Sequence, residues 1–196
     1  MNKQKTKNLA FTSLFIAIEM IMVMVPFLGF IPIGPISATT LHIPVIIAGI
    51  VMGKKIGAGI GFVFGLSSLI MSTIQPTLTS FVFSPFISGN LLSAVIAIVP
   101  RILIGYVAGS IYEKVKNKND LMAMSMGSFF GSLTNTILVL GGIYIIFGSQ
   151  YASVLGYDFS ALFPLLLGIV VTNGILEAVL GTIIAIMVSR ILIKIK

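Results

Sequence analysis

Four side chains in otherwise apolar sequence have the chemistry of a polar ligand site. Arg101 sits within "AVIAIVPRILIGYVAG", Asn135 within "GSLTNTILVL", and Asn173 and Glu177 within "VTNGILEAVLG". A guanidinium is permanently charged and presents a planar fork of donors, which suits bidentate capture of a carboxylate. Asparagine amides donate and accept, so they can read hydroxyl and amide groups. Asn173 and Glu177 are four residues apart and share one helix face. Small residues recur beside these groups: Ala94, Ala97, Gly105 and Ala108 near Arg101, Ser128, Gly131, Ser132 and Gly142 near Asn135, Gly181 beyond Glu177. They leave room for something other than a side chain. A second reading makes the same residues internal braces, with Arg101 paired to Glu177 or to Glu19 and the amides bonding across helices. A buried pair of that kind satisfies both charges while stabilising little after desolvation.

The elements that must position these groups are membrane spans. Of the residues 57% are hydrophobic and 9% charged, too little charge for the surface of a soluble domain. About 20 apolar residues cross about 30 Å of hydrocarbon as a helix. Six segments answer to that: 8–28, 41–53 (short), 56–74, 89–112, 121–147 and 162–189. The first reads as a retained span, since no small-residue cleavage site follows it. The expected architecture is a single all-α integral membrane domain over 1–196, with six transmembrane helices.

The net charge of +7 is distributed as membrane topology requires. Lys3, Lys5 and Lys7 precede the first span, Lys54 and Lys55 separate two spans, Lys114, Lys116 and Lys118 mark another loop, and Arg190, Lys194 and Lys196 close the chain. With both termini cytoplasmic, each of these clusters falls inside, as retention of Lys and Arg demands. A nucleic-acid partner is not needed to explain them. Arg101 alone breaks the rule, and at bilayer depth exposure would cost at least ~2.5–3.5 kcal/mol.

The expected outer loops, 29–40, 75–88 and 148–161, carry no Lys or Arg. "GFIPIGPISATT" and "QPTLTSFVFSPFIS" are rich in turn-forming Gly, Pro, Ser and Thr yet remain apolar. They are expected to fold back over the outer mouth of the bundle as a lid. His42 begins the second span, with Pro44 in its first turn, and reads as an interfacial hydrogen-bonding residue.

Catalysis finds no support. There is one His and no Cys, Asp120 and Asp158 lie at loops, and no metal set of His and carboxylates assembles at useful spacing. Neither cofactor nor metal is expected. "GIVMGKK" lacks the spacing and the Ser or Thr of a phosphate loop. In "GAGIGFVFG" the glycines at 57, 61 and 65 fall four apart, which permits close helix approach. Gly105 with Gly109, and Gly127 with Gly131, read the same way.

The order of "KNLAFTSLFIAIEM", "LHIPVIIAGIVMGKKIGAGIGFVFGLSSLI", "PRILIGYVAGSIY", "GSLTNTILVLGGIY" and "NGILEAVLG" resembles the S components of energy-coupling factor (ECF) vitamin transporters across nearly the whole chain. "TTLHIPVII", "FVFSPFI" and the arginine of "PRILIG" are most similar to the pantothenate branch. The resemblance implies a protein of the bacterial cytoplasmic membrane that captures a vitamin from outside, under a lid formed by the loop between spans one and two. It implies no ATPase activity of its own, but docking on a transmembrane scaffold subunit that carries two cytoplasmic ATPases, followed by toppling in the membrane. Docking in this family uses small residues four apart in the first span, here Ser13 and Ala17, with serine in place of the usual alanine. Pantothenate would give Arg101 a carboxylate, and Asn135, Asn173 and Glu177 its hydroxyls and amide. Folate, pyridoxine or riboflavin is the alternative cargo, and a non-transporting membrane partner is the alternative class.

Overall fold

The computed structural model describes residues 3–33 and 36–195. Gly34 and Pro35 of the expected lid, and Lys196 of the closing basic cluster, lie outside the described residues. Helix α1 (Lys3–Met24) is followed by the short α2 (Pro26–Gly29), then strands β1 (Phe30–Ile33) and β2 (Ile36–Thr39). Next come α3 (His42–Met52), α4 (Lys54–Ile74), a 3-10 turn (Ser80–Val82), α5 (Pro85–Ser88), α6 (Leu92–Val115) and α7 (Asp120–Val154). The last span is α8 (Phe159–Ile169), a π-helical turn (Val170–Gly174) and α9 (Ile175–Ile195) in continuous succession. Five stretches are long and apolar enough to cross a bilayer, and α3 is the shorter sixth.

The helix ends differ from the sequence-based boundaries in instructive ways. Helix α7 has 35 residues, about 50 Å at 1.5 Å per residue, so it outruns a hydrocarbon core of about 30 Å. Most of the third expected outer loop is therefore helical, and only 155–158 connect α7 to α8. The helix starts at Asn119, whose side chain accepts from the Met122 amide at 2.9 Å and so caps an otherwise orphan donor. Helix α6 starts at Leu92 rather than near 89. Arg101 is consequently nine residues from one end and fourteen from the other, about 14 and 21 Å. It lies off the middle, displaced towards the lid.

The expected lid loop contains an antiparallel hairpin, the one departure from helix among the described elements. Its register pairs Phe30 with Thr39, Ile31 with Ala38, Pro32 with Ser37 and Ile33 with Ile36. The Thr40 amide donates to the Gly29 carbonyl at 2.9 Å, making that pair hydrogen-bonded. Bonded and non-bonded pairs then alternate along the ladder, which puts Pro32 where its missing amide would have pointed outward. Proline is tolerated there.

Both chain ends meet at the opposite end of the bundle, where Lys7 Nζ donates to the Ile195 carbonyl at 2.7 Å. Lys54 pairs with Glu113 at 3.0 Å at that end. The Lys116, Arg190 and Lys194 side chains border clefts there with Ile193. All the described basic clusters thus gather at one end, and the hairpin and the 75–91 segment gather at the other.

Glycines make the centre of the bundle. A Cβ on Gly57 would approach the Gly49 backbone and the Gly105 carbonyl, one on Gly65 would meet Ala97 O and Ile98 Cα, and one on Gly61 would clash with the Arg101 carbonyl. Gly131 packs on Ala108 and Ile104, Gly142 on Ile96, and Gly181 on His42. The small residues beside the deep polar groups were expected to leave space for a ligand. Here the space is filled by neighbouring helices, because backbones without Cβ atoms between them close up. A Gly61→Ala substitution is expected to push α4 off α6 at the level of Arg101. It should lower stability by about 1–3 kcal/mol, the usual cost of overpacking, read as a drop in melting temperature in detergent.

Candidate ligand-binding site

A cavity of about 400 Å³ opens at the hairpin end, within the usual range for small-molecule sites. Helix α4 supplies Phe64, Ser68, Met71 and Ser72, with Gln75 at its C-cap. The 75–91 segment adds Thr77, Thr79, Ser80 and Phe83, the lid side gives Thr39 and Leu41, and α6 and α7 contribute Arg101 and Asn135. Arg101 is the one charged residue of the lining.

The residue before Arg101 explains how the guanidinium is held. Inside a helix each carbonyl accepts from the amide four residues on, but Pro100 has no N–H to give Ile96. Arg101 Nη1 takes the vacancy, donating to the Ile96 carbonyl at 2.8 Å. Two rings complete the mounting: the guanidinium carbon lies 5.0 Å from the Phe83 centroid and 5.6 Å from that of Phe64. Both are within reach of a cation–π attraction. Nε is buried and has no partner, so a buried cation is fixed in position with donor capacity unused.

The brace reading does not describe this arrangement. Among the described residues the one ion pair is Lys54–Glu113. Glu19 is fully buried with neither carboxylate oxygen bonded. Glu177 Oε1 accepts from the Thr39 amide at 2.7 Å.

Of the four residues singled out from sequence, the cavity brings together two. Asn135 joins Arg101 in the lining, its Oδ1 buried and unbonded. Asn173 and Glu177 are outside the lining. Asn173 lies in the π turn, where its Oδ1 accepts from Thr172 Oγ1 at 3.1 Å, and Glu177 faces the lid strand. His42 is a core residue rather than an interfacial one: it is 2% exposed and its Nε2 is 3.0 Å from Ser132 Oγ.

Sequence reasoning missed the hydroxyl wall. Ser68 and Ser72 lie four apart on one face of α4, and Gln75 follows three residues on, at the helix C-cap. That signal was present in "SSLIMSTIQPT". The 75–91 segment that continues the wall has no charge, and several of its hydroxyls bond within the protein. Ser80 Oγ accepts from the Thr77 amide at 2.8 Å, Thr73 and Ser84 hydroxyls meet at 2.7 Å, and Ser93 Oγ donates to the Phe81 carbonyl at 2.8 Å. These bonds hold Phe83 over Arg101.

A fixed cation with free donors, an adjacent amide and a wall of hydroxyls can hold a small anion that also carries hydroxyl or amide groups. No nucleophile–base pair accompanies them, and no metal-binding group of His, Asp and Glu occurs among the described residues. The geometry is that of a membrane-embedded receptor for a small polar molecule.

The comparisons give that class a family. The family described as "ECF transporter, substrate-specific component" matches residues 7–189, and the chain belongs to it. It is similar to "Pantothenic acid transporter PanT" of Lactococcus lactis subsp. cremoris (strain MG1363), 36% identical over 190 residues, covering 93% of this chain and 92% of that one. It is also similar to "Pantothenate transporter PanT" of Leuconostoc mesenteroides subsp. mesenteroides, 32% identical over 205 residues, covering 100% and 96%. Membership makes this a multi-pass membrane protein that serves vitamin uptake with an ECF module as its partner.

Proposed function

We propose that the protein captures pantothenate, with Arg101 clamping the carboxylate and Asn135 beside it. The wall formed by the hydroxyls of Ser68, Ser72, Thr77 and Thr79 and the Gln75 amide takes the hydroxyls and amide at the other end. One observation carries this reading: a buried arginine with no internal counter-charge, one donor held by the Ile96 carbonyl and others left over, in the lining of a cavity without a carboxylate. The names of both relatives point to the same cargo. A neutral vitamin such as pyridoxine would leave the cation unsatisfied.

The basic end faces the cytoplasm and the hairpin end faces outward, in accord with retention of Lys and Arg. Both termini are then inside. The energising partners are a transmembrane scaffold subunit and two cytoplasmic ATPases on separate chains. Docking falls on α1, where Ser13 and Ala17 are exposed together with Leu14, Ile18 and Ile21. Small side chains there let a partner helix approach closely.

The test is direct binding by protein purified into lipid nanodiscs. Labelled pantothenate should bind with a stoichiometry of one, and excess folate, pyridoxine or riboflavin should fail to displace it. Displacement by one of these at lower concentration than pantothenate itself would reassign the cargo. Failure to bind any vitamin would point to the non-transporting alternative.

A further inference from the structure

Glu177 is the one deep carboxylate whose bonding partner is the lid. The ladder explains why. Since Thr40 bonds Gly29, the neighbouring Phe30–Thr39 pair is non-bonded, and the Thr39 amide points away from β1. An outward amide on a hairpin edge needs an acceptor from elsewhere. Glu177 Oε1 supplies it at 2.7 Å, from an element 138 residues away in sequence. Thr39 itself lines the cavity.

The last span is shaped to deliver this acceptor. Its helix widens into the π turn Val170–Gly174 just before Glu177, and such insertions re-aim the residues that follow. Gly174 seats the turn against α7, where a Cβ would come within 2.8 Å of Thr136 Cγ2. Thr136 is the neighbour of Asn135, a residue of the cavity wall. Contacts therefore run from the wall through the π turn to Glu177 and on to the lid.

We propose that Glu177 is a clasp: it holds the end of β2 on the last span and keeps the hairpin closed over the occupied cavity. It is a positioning residue that does not touch the cargo. The clasp sets how quickly bound ligand leaves, and as a statement about pantothenate it rests on the assignment of that vitamin to this cavity.

Release of labelled pantothenate from nanodisc-embedded protein tests it. Glu177→Ala should speed dissociation about tenfold while association changes little. Glu177→Gln retains an Oε1 acceptor and should stay within about threefold of wild type. Thr39→Pro removes the donor at a ladder position that tolerates proline. It should also speed release, and combining it with Glu177→Ala should add nothing further. Wild-type release from Glu177→Ala, or additive effects in the double variant, would overturn the clasp. A glutamine variant as fast as the alanine one would also do so, because it would assign the role to charge. Amide exchange at Thr39 in ligand-free protein gives a second readout, independent of the cargo. It should accelerate in Glu177→Ala and not in Glu177→Gln, even if pantothenate proves to be the wrong ligand. Unchanged exchange in Glu177→Ala would sink the clasp whatever the cavity binds.

Discussion

Arg101→Ala should abolish detectable pantothenate binding while leaving a folded, monodisperse protein. Removing one member of a buried hydrogen-bonded charge pair costs about 2–5 kcal/mol, roughly 30- to 4,000-fold in Kd. The fold should survive, because the guanidinium braces no carboxylate and makes one hydrogen bond to its own helix. Arg101→Lys is expected to recover little. An ammonium keeps the charge but cannot grip a carboxylate with a planar fork while also holding the Ile96 carbonyl. Isothermal titration and a thermal melt on the same preparations check both halves. A variant that loses binding only because it unfolds would show it in the melt.

Pro100→Ala should produce the opposite pairing of effects, a more stable protein that binds more weakly. Alanine restores an amide four residues beyond Ile96 and removes the ring from the helix interior. Proline in a soluble helix costs about 3 kcal/mol relative to alanine, and membrane helices recover part of that cost locally. A gain of about 1–2 kcal/mol is therefore expected. The restored amide then competes with Arg101 Nη1 for the Ile96 carbonyl and loosens the guanidinium. Bonds to charged groups contribute about 1.5–3 kcal/mol, and partial loss of one predicts about tenfold weaker binding. Higher melting temperature with unchanged affinity would show that the proline is not what mounts the arginine.

These two neighbours illustrate how far the sequence could be read. A lone arginine in apolar sequence is visible by composition, and so are the basic loops that flank the spans around it. The carbonyl that Pro100 leaves free is also legible, by counting four residues back, though the choice of that carbonyl by Arg101 depends on rotamer and cavity shape. The spacing of Ser68, Ser72 and Gln75 is equally countable, but single serines in a span carry little signal beside a charge.

Other features needed three dimensions. A glycine beside a polar group reads the same whether it admits a ligand or a neighbouring side chain, and at Gly142 and Gly181 it admits Ile96 and His42. The hairpin hid behind Pro32, which argues against a strand unless its place in the ladder is known. Glu177 looked like a ligand contact because its face and depth suited one. Its bond to Thr39 joins segments 138 residues apart, and no local pattern encodes such a meeting. Asn173 shared its face in an ideal helix, but the π turn breaks the spacing on which that inference rested.

On the proposed assignment, the buried Arg101 guanidinium recognises the negative charge of the cargo. Titration of the nanodisc protein with pantothenate, and with the same molecule bearing a carboxamide in place of the carboxylate, tests this most directly. Wild-type protein should prefer the acid by at least about 30-fold, and Arg101→Ala should show no preference between the two. Equal affinity of wild-type protein for the acid and the amide would show that Arg101 does not read the carboxylate.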